Sequence, residues 1–352
     1  MISKLHIWNY KSIEECELDF SKINVLIGPN GSGKTSILEC FEHLKIASAN
    51  ITSIINLEDT PPYISLEGKT RIFIPFEHFV FQREVKRNIK IKFTFTDSPL
   101  IEAELTFNRN ACTIKLVGRD VTNVDELILI PQETIFILRT DRKIGRTLGG
   151  VLSEIQRIGI HNAHQIFYYT CYRSEFKENI EIIKDFYSRY GLHDIRWVPL
   201  SDNRYEIIAT TEKGIDVNLA DTGSGFIALF PIIVPLAFYP ENSIVFIEHP
   251  EMHLHPKLQY EIANFLLDVS IKRKYQLFLE THSEHILFGL LNAIAKGVIK
   301  PSELTIYSVK KVEGISSFEK LKVYEDGSVE GGLQDFLEQD VDEFLDWLKA
   351  WE

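Results

Sequence analysis

Residues 28–35 read Gly-Pro-Asn-Gly-Ser-Gly-Lys-Thr and fit the pattern G-x-x-x-x-G-K-[ST] without a mismatch. Residues 23–27 before them form a mostly apolar run of strand length. From Lys34 to residue 47, Ile37, Leu38, Phe41 and Leu44 fall on one helical face. Strand, glycine turn and helix, in that order, is the setting in which this pattern cradles phosphates. A flexible turn with an idle lysine has no need of those flanks. The glycines let the backbone curl so that amide groups face the phosphates. Lys34 brings positive charge to the β- and γ-phosphates, and the helix N-terminus adds partial positive charge. Asn30, Gly31, Ser32, Gly33, Lys34, Thr35 and Ser36 are therefore the candidate nucleotide-binding residues, with the Thr35 hydroxyl suited to ligating Mg²⁺.

A second apolar run, residues 244–247, closes on Glu248. A carboxylate at the end of a buried strand is poised for the Mg²⁺ shell, as in a Walker B motif; a surface acid at a strand end is the lesser reading. Strand patterns are also expected over residues 2–8, 16–20, 88–95, 111–117, 134–138, 276–279, 304–309 and 318–324. Helices are expected over 151–158, 178–190, 256–270 and 284–296, and through the Phe226 region. Pro61-Pro62 and Gly68 make 50–70 read as a loop. Strand–helix alternation at both ends of the body predicts an α/β fold with a largely parallel sheet covered by helices.

The run IEHPEMHLHPKLQ (residues 247–259) resembles the Walker B and D-loop segment of the SMC/RecF/OLD-like ABC-type ATPases of the AAA-15/AAA-21 group. The opening ISKLHIWNYKSIEECELDFSKINVLIGPNGSGKTSILE is similar to the first lobe of that group. Leu219-Ala220-Asp221-Thr222-Gly223-Ser224-Gly225 resembles its degenerate signature, D-x-G-x-G, and Thr281-His282-Ser283 resembles its switch histidine. The resemblance implies an ABC-type P-loop NTPase of two lobes, mostly parallel sheet with an antiparallel β part and a helical insertion. The corresponding segments are 1–118 (Walker A lobe), 119–200 (insertion), 201–324 (signature, Walker B and switch histidine) and 325–352 (acidic tail). It also implies ATP and Mg²⁺ as cofactors and two copies sandwiching two ATP molecules. Gly223, Ser224 and Gly225 would then face the γ-phosphate held by the opposite subunit, with Asp221 positioning that loop and His282 sensing the phosphate. Gln82 is a candidate metal-contacting Q-loop residue, with Gln132 and Gln156 as rivals.

The chain departs from the pattern at His249, which stands where the general-base glutamate usually follows the Walker B acid. Histidine accepts a proton near neutral pH, so Glu248, His249 and His282 form the candidate catalytic set and slow hydrolysis is expected. His253 and His255 with Glu251 have the look of a metal cluster, but the resemblance places them on the D-loop. A long heptad coiled coil with a hook and a Toprim nuclease are both missing from the pattern.

The net charge of −12 argues against nucleic acid only until its distribution is read. From Glu325 to Glu352 there are ten acidic residues and one basic residue, Lys349; the other 324 residues carry 40 acidic and 37 basic side chains. Leu333, Phe336, Leu337, Val341, Phe344, Leu345 and Leu348 give that tail an amphipathic helical spacing. Two basic clusters, Arg83/Lys86/Arg87/Lys90/Lys92 and Arg139/Arg142/Lys143/Arg146, are either solvated faces or a surface for DNA, RNA or an acidic partner. No apolar run reaches the roughly 18–20 residues of a membrane span. Cys16, Cys40, Cys112 and Cys171 are scattered, without a C-x-x-C pair. A cytoplasmic protein without a membrane contact is expected. Its leading function is an ATP-dependent switch, a homodimer working in nucleic-acid maintenance or anti-phage defence with a separately encoded effector such as a nuclease or toxin. A non-hydrolysing ATP-clamped scaffold and a transporter nucleotide-binding subunit are the alternatives.

Overall fold

The structure is a computed structural model and describes residues 1–60, 63–70, 76–84, 86–109, 111–121, 123–140, 148–149, 163–200 and 204–330. The expected helix over 151–158, Gln156, Arg142, Lys143, Arg146 and the acidic helix after residue 330 lie outside these residues.

Along the chain come β1 (Ile2–Tyr10), β2 (Ile13–Asp19), β3 (Ile23–Ile27), α1 (Lys34–Ala49), β4 (Ile51–Thr60) and β5 (Tyr63–Thr70). Then follow α2 (Phe76–Phe79), β6 (Ile89–Phe95), β7 (Leu100–Phe107), β8 (Cys112–Arg119), α3 (Val124–Thr134) and β9 (Ile135–Leu138). The middle holds β10 (Leu148–Gly149), α4 (Ala163–Thr170), α5 (Lys177–Ser188), β11 (Leu192–Pro199), β12 (Arg204–Thr211), β13 (Asp216–Asn218) and α6 (Ser224–Phe238). The last elements are β14 (Ile244–Glu248), α7 (Pro256–Arg273), β15 (Gln276–Glu280), α8 (Glu284–Ala295), β16 (Leu304–Val312) and β17 (Ile315–Leu321). They gather into two compact units, residues 1–137 with 242–248 and 274–352, and residues 138–241 with 249–273.

The first unit is built on a six-stranded sheet in the order β17-β16-β3-β15-β14-β9. β3 runs parallel to both β15 and β16, and β14 parallel to β15. Every residue of β3, β14 and β15 is buried, which is why these strands read as continuous apolar runs rather than alternating ones. A second, antiparallel sheet runs β2-β1-β6-β7-β8-β5-β4. α1 packs between them through the face its spacing predicts. The Phe41 ring lies 4.9 Å from Phe278 and 5.7 Å from Phe246, and 5.3 Å from Phe93 of the antiparallel sheet. Truncating Phe41 to alanine would cost about 3–5 kcal/mol, since rings on both sides would border the cavity.

Residues 50–70 are not a loop. They form the hairpin strands β4 and β5, with β5 paired in register to β8. Leu66, Gly68 and Thr70 of β5 are buried, and of these only Leu66 carries a large apolar side chain, so the apolar alternation that marks a strand is faint here.

The second unit carries the antiparallel strands β10-β12-β11, with β13 on β12. The described part of residues 119–200 mixes α3 and most of β9, in the first unit, with α4, α5, β10 and β11 in the second. α6 continues through Pro231 and Pro235. Each interior proline costs a helix about 3 kcal/mol, opposed here by an unbroken buried stretch from Leu229 to Ala237. Phe167 meets Phe230 at 5.4 Å and Phe186 meets Phe265 at 5.0 Å in this core. Among the described residues no helix is long and apolar enough to cross a membrane.

Candidate functional site

The glycine-rich loop leaves the C-terminal end of β3 and enters α1, as the sequence order requires. Gly28 has φ 143°, and a Cβ there would fall on the Val309 carbonyl of β16. Gly33 has φ 113°, and a Cβ there would meet the Ser316 hydroxyl. Gly31, φ 74°, faces open space. The loop needs the first two glycines for close approach and the third only for its left-handed turn. Ser316 of β17 donates its hydroxyl to the Ser32 carbonyl (2.6 Å) and also bonds Ser12 Oγ (2.7 Å). Sequence reasoning passed over both of these bracing serines.

Lys34 is buried, and its ammonium donates to the carbonyls of Gly28 and Pro29, both at 2.9 Å. The cation is thereby curled inside the loop, where phosphate oxygens would replace the carbonyls as acceptors. Thr35 donates its hydroxyl to Glu280 Oε1 at 2.9 Å. Glu280 ends β15, and its register partners are Glu248 on β14 and Leu26 on β3. Register partners in a sheet project to the same face, so two carboxylates, 8% and 2% exposed, end neighbouring strands beside the loop. Glu280 was missed by the sequence reading although its signal is the same as that of Glu248: an apolar run, QLFL against IVFI, closing on glutamate. This donor set of hydroxyl and carboxylate oxygens suits a hard cation such as Mg²⁺.

After Glu280 the backbone stays anchored, with Thr281 N–H donating to the Leu26 carbonyl (3.2 Å). Ser283 caps α8 by accepting from Ile286 N–H at 3.1 Å. His282 lies exposed between these two buried residues, on a rigid pedestal at the same end of the sheet as the loop.

The residues that resemble a signature and a D-loop, 219–225 and 249–259, belong to the second unit. Asn218 accepts from Ala220 N–H (2.8 Å) and starts a short 3₁₀ turn holding Asp221. Gly223 stands at the N-cap of α6, exposed together with Asp221 and Ser224, while Gly225 is buried. A Cβ at Gly225 would lie 3.2 Å from Leu258 and 3.4 Å from Leu254. The second glycine therefore also serves the packing of α6 on α7. His249 has a left-handed backbone (φ 43°), and its Nδ1 lies 3.1 Å from Glu251 Oε1. His255 Nδ1 accepts from Lys257 N–H at the start of α7 (3.3 Å).

Gln82 sits exposed on a 3₁₀ turn with φ 50°, and among the described residues no hydrogen bond or ion pair ties it to the loop. Gln132 bonds within α3, to the Ile128 carbonyl. The first basic cluster is largely balanced by acids: Arg87 pairs with Glu84 (2.6 Å), Lys90 with Glu104 (3.0 Å) and Lys92 with Glu102 (2.8 Å).

A protein-family profile described as "AAA domain, putative AbiEii toxin, Type IV TA system" (AAA_21) matches residues 23–287. The chain belongs to the AAA_21 family. That match spans residues 28–35, 221–225, Glu248 and His282 of this AAA_21 protein, and places it among the P-loop ATPases. Septu protein PtuA of Bacillus thuringiensis is 22% identical over 338 residues, 89% of this chain and 80% of that protein. The DNA replication and repair protein RecF of Psychromonas ingrahamii is 50% identical over 44 residues, which span 12% of each chain. Among solved structures, the SMC head domain from Thermotoga maritima superposes with a TM-score of 0.52 at 14% identity, covering 92% of this chain and 99% of that one. The AAA_21 chain thus has the ABC-type fold of an SMC head.

Proposed function

We propose that this AAA_21 protein is an ATP-driven switch that closes as a homodimer around two ATP molecules. The reading is carried by one observation: Lys34, Thr35 and the Glu248 carboxylate share the C-terminal end of the parallel strands β3, β15 and β14. Lys34 meets the β- and γ-phosphates, and Thr35 with Glu248 holds the Mg²⁺ side. Magnesium, when bound, neutralises phosphate charge. His282 senses the γ-phosphate. Asp221, Gly223, Ser224 and Gly225 present their surface to the nucleotide of the opposite subunit, and Gln82 closes on the metal when the site fills. His249 takes the base position with slow turnover, because a ring nitrogen already engaged by Glu251 positions water less well than a carboxylate. The lobes of this cycle are residues 1–118 and 201–324.

The switch acts in the cytoplasm on a separately encoded effector, a nuclease or toxin, in defence against phage. The long similarity to Septu protein PtuA supports this. Work on nucleic acid itself is a second reading, favoured by the short high-identity stretch shared with RecF proteins. Sedimentation with and without a non-hydrolysable ATP analogue, alongside single-turnover hydrolysis, tests the cycle. A monomer in both conditions overturns it. A dimer without turnover leaves the ATP-clamped scaffold.

A further inference from the structure

The carboxylate that engages the phosphate-loop threonine comes from β15, one strand nearer to β3 than the Walker B acid. We propose that Glu280 is the positioning residue of the nucleotide site, holding the Thr35 hydroxyl so that its lone pairs face the Mg²⁺ of bound nucleotide. The inference rests on the reading of this site as an Mg²⁺–ATP site and adds a residue that the motif pattern does not assign.

A threonine hydroxyl has one proton to give and two lone pairs to offer. With the proton committed to Glu280 Oε1 at 2.9 Å, the lone pairs are turned away from the carboxylate and are free for a cation. A carboxylate acceptor makes this bond stronger than a neutral one would. Glu280 is itself held firmly. It is 2% exposed, it is paired in register with strands on both sides, and the next residue, Thr281, is bonded to the Leu26 carbonyl. The arrangement divides labour between the two strand-end acids. Glu280 orients the threonine, which leaves Glu248 for the water shell of the metal. It also places the threonine's partner two residues before His282, so the metal side of the site and the exposed histidine are borne by one short segment.

The test compares ATP affinity by calorimetry in Mg²⁺ and in EDTA for the full chain and two variants of similar volume. Glu280→Gln keeps an acceptor oxygen, whereas Glu280→Leu has none. Thermal unfolding of each establishes that it is folded. Glu280→Leu should lose about tenfold or more of the strengthening that Mg²⁺ gives to ATP binding, with EDTA affinity within about twofold of wild type. Glu280→Gln should retain that strengthening to within about threefold, and Glu280→Leu should add no further loss in a Thr35→Val background. If Glu280→Leu does not fold, Glu280→Ala is measured in its place. An unchanged Mg²⁺ effect in the acceptor-free variant overturns the proposal, and so does an equal loss in EDTA, which would mark a purely structural role. Wild-type protein that fails to bind ATP in either buffer overturns the proposed function instead.

Discussion

Ser316 donates its hydroxyl to the Ser32 carbonyl at 2.6 Å, so a hairpin almost three hundred residues downstream braces the phosphate loop from behind. The loop is shaped from outside as much as by its own glycines, and those glycines are not equivalent.

Gly28→Ala and Gly31→Ala should differ sharply in denaturant unfolding. At Gly31 only the left-handed backbone opposes a side chain, a cost of about 1–2 kcal/mol. At Gly28 the new methyl also falls on the Val309 backbone, and strain with overpacking should bring the loss to about 3 kcal/mol or more. Equal losses would mean that the loop is not seated on β16.

Lys34→Ala should weaken ATP binding by roughly a hundredfold, since it removes charge-assisted bonds worth about 1.5–3 kcal/mol each. His282→Ala should bind ATP normally and lose most turnover, because its side chain stands exposed on a pedestal that the substitution leaves intact. Calorimetry and single-turnover assays on the two variants check the contrast. Normal ATP affinity in the lysine variant would remove the phosphate-loop assignment.

The signature glycines separate packing from dimerisation. A Cβ at Gly223 meets only Phe226, at 4.0 Å, so Gly223→Trp should keep its unfolding temperature while abolishing the ATP-dependent dimer in sedimentation. Gly225→Trp should unfold several degrees lower, because Leu254 and Leu258 already fill the space beside it. A persistent dimer in a folded Gly223→Trp variant would argue against the sandwich.

Replacing His249 by glutamate sets a carboxylate where a histidine nitrogen lies 3.1 Å from Glu251, and like charges at that distance repel. The double variant His249→Glu, Glu251→Gln should therefore hydrolyse ATP roughly tenfold or more faster than wild type, and His249→Glu alone less so. Stopped single-turnover measurements read the difference. A slower double variant would give the histidine a role of its own.

Much of this was legible in the chain. The phosphate loop, the three fully buried strands and α1 follow from unbroken apolar runs and one helical face, because burial on both sides of a parallel strand leaves a continuous apolar run whose short length and flanking turn residues mark it as a strand. The β4–β5 hairpin was not legible, since exposed Ile54, Ile55 and Leu57 carry no one-sided pattern and the prolines signal a turn without saying what it joins. Glu280 was overshadowed by the neighbouring Thr-His-Ser motif. The packing role of Gly225 depends on Leu254 and Leu258, which only the folded chain brings to it.

Gln276 joins the ends of the first unit in the same manner. Its side-chain amide donates to the carbonyls of Ile2 and Ser21 and accepts from the Ile2 N–H. β3 likewise finds its two sheet neighbours, β15 and β16, only between residues 276 and 312. On the ribosome, the phosphate-loop strand therefore emerges long before either of its sheet neighbours and waits for both. Pairings so distant in sequence make for slow folding and a long-lived exposed strand, so the strand that carries the phosphate loop cannot be seated until β15 and β16 have been made.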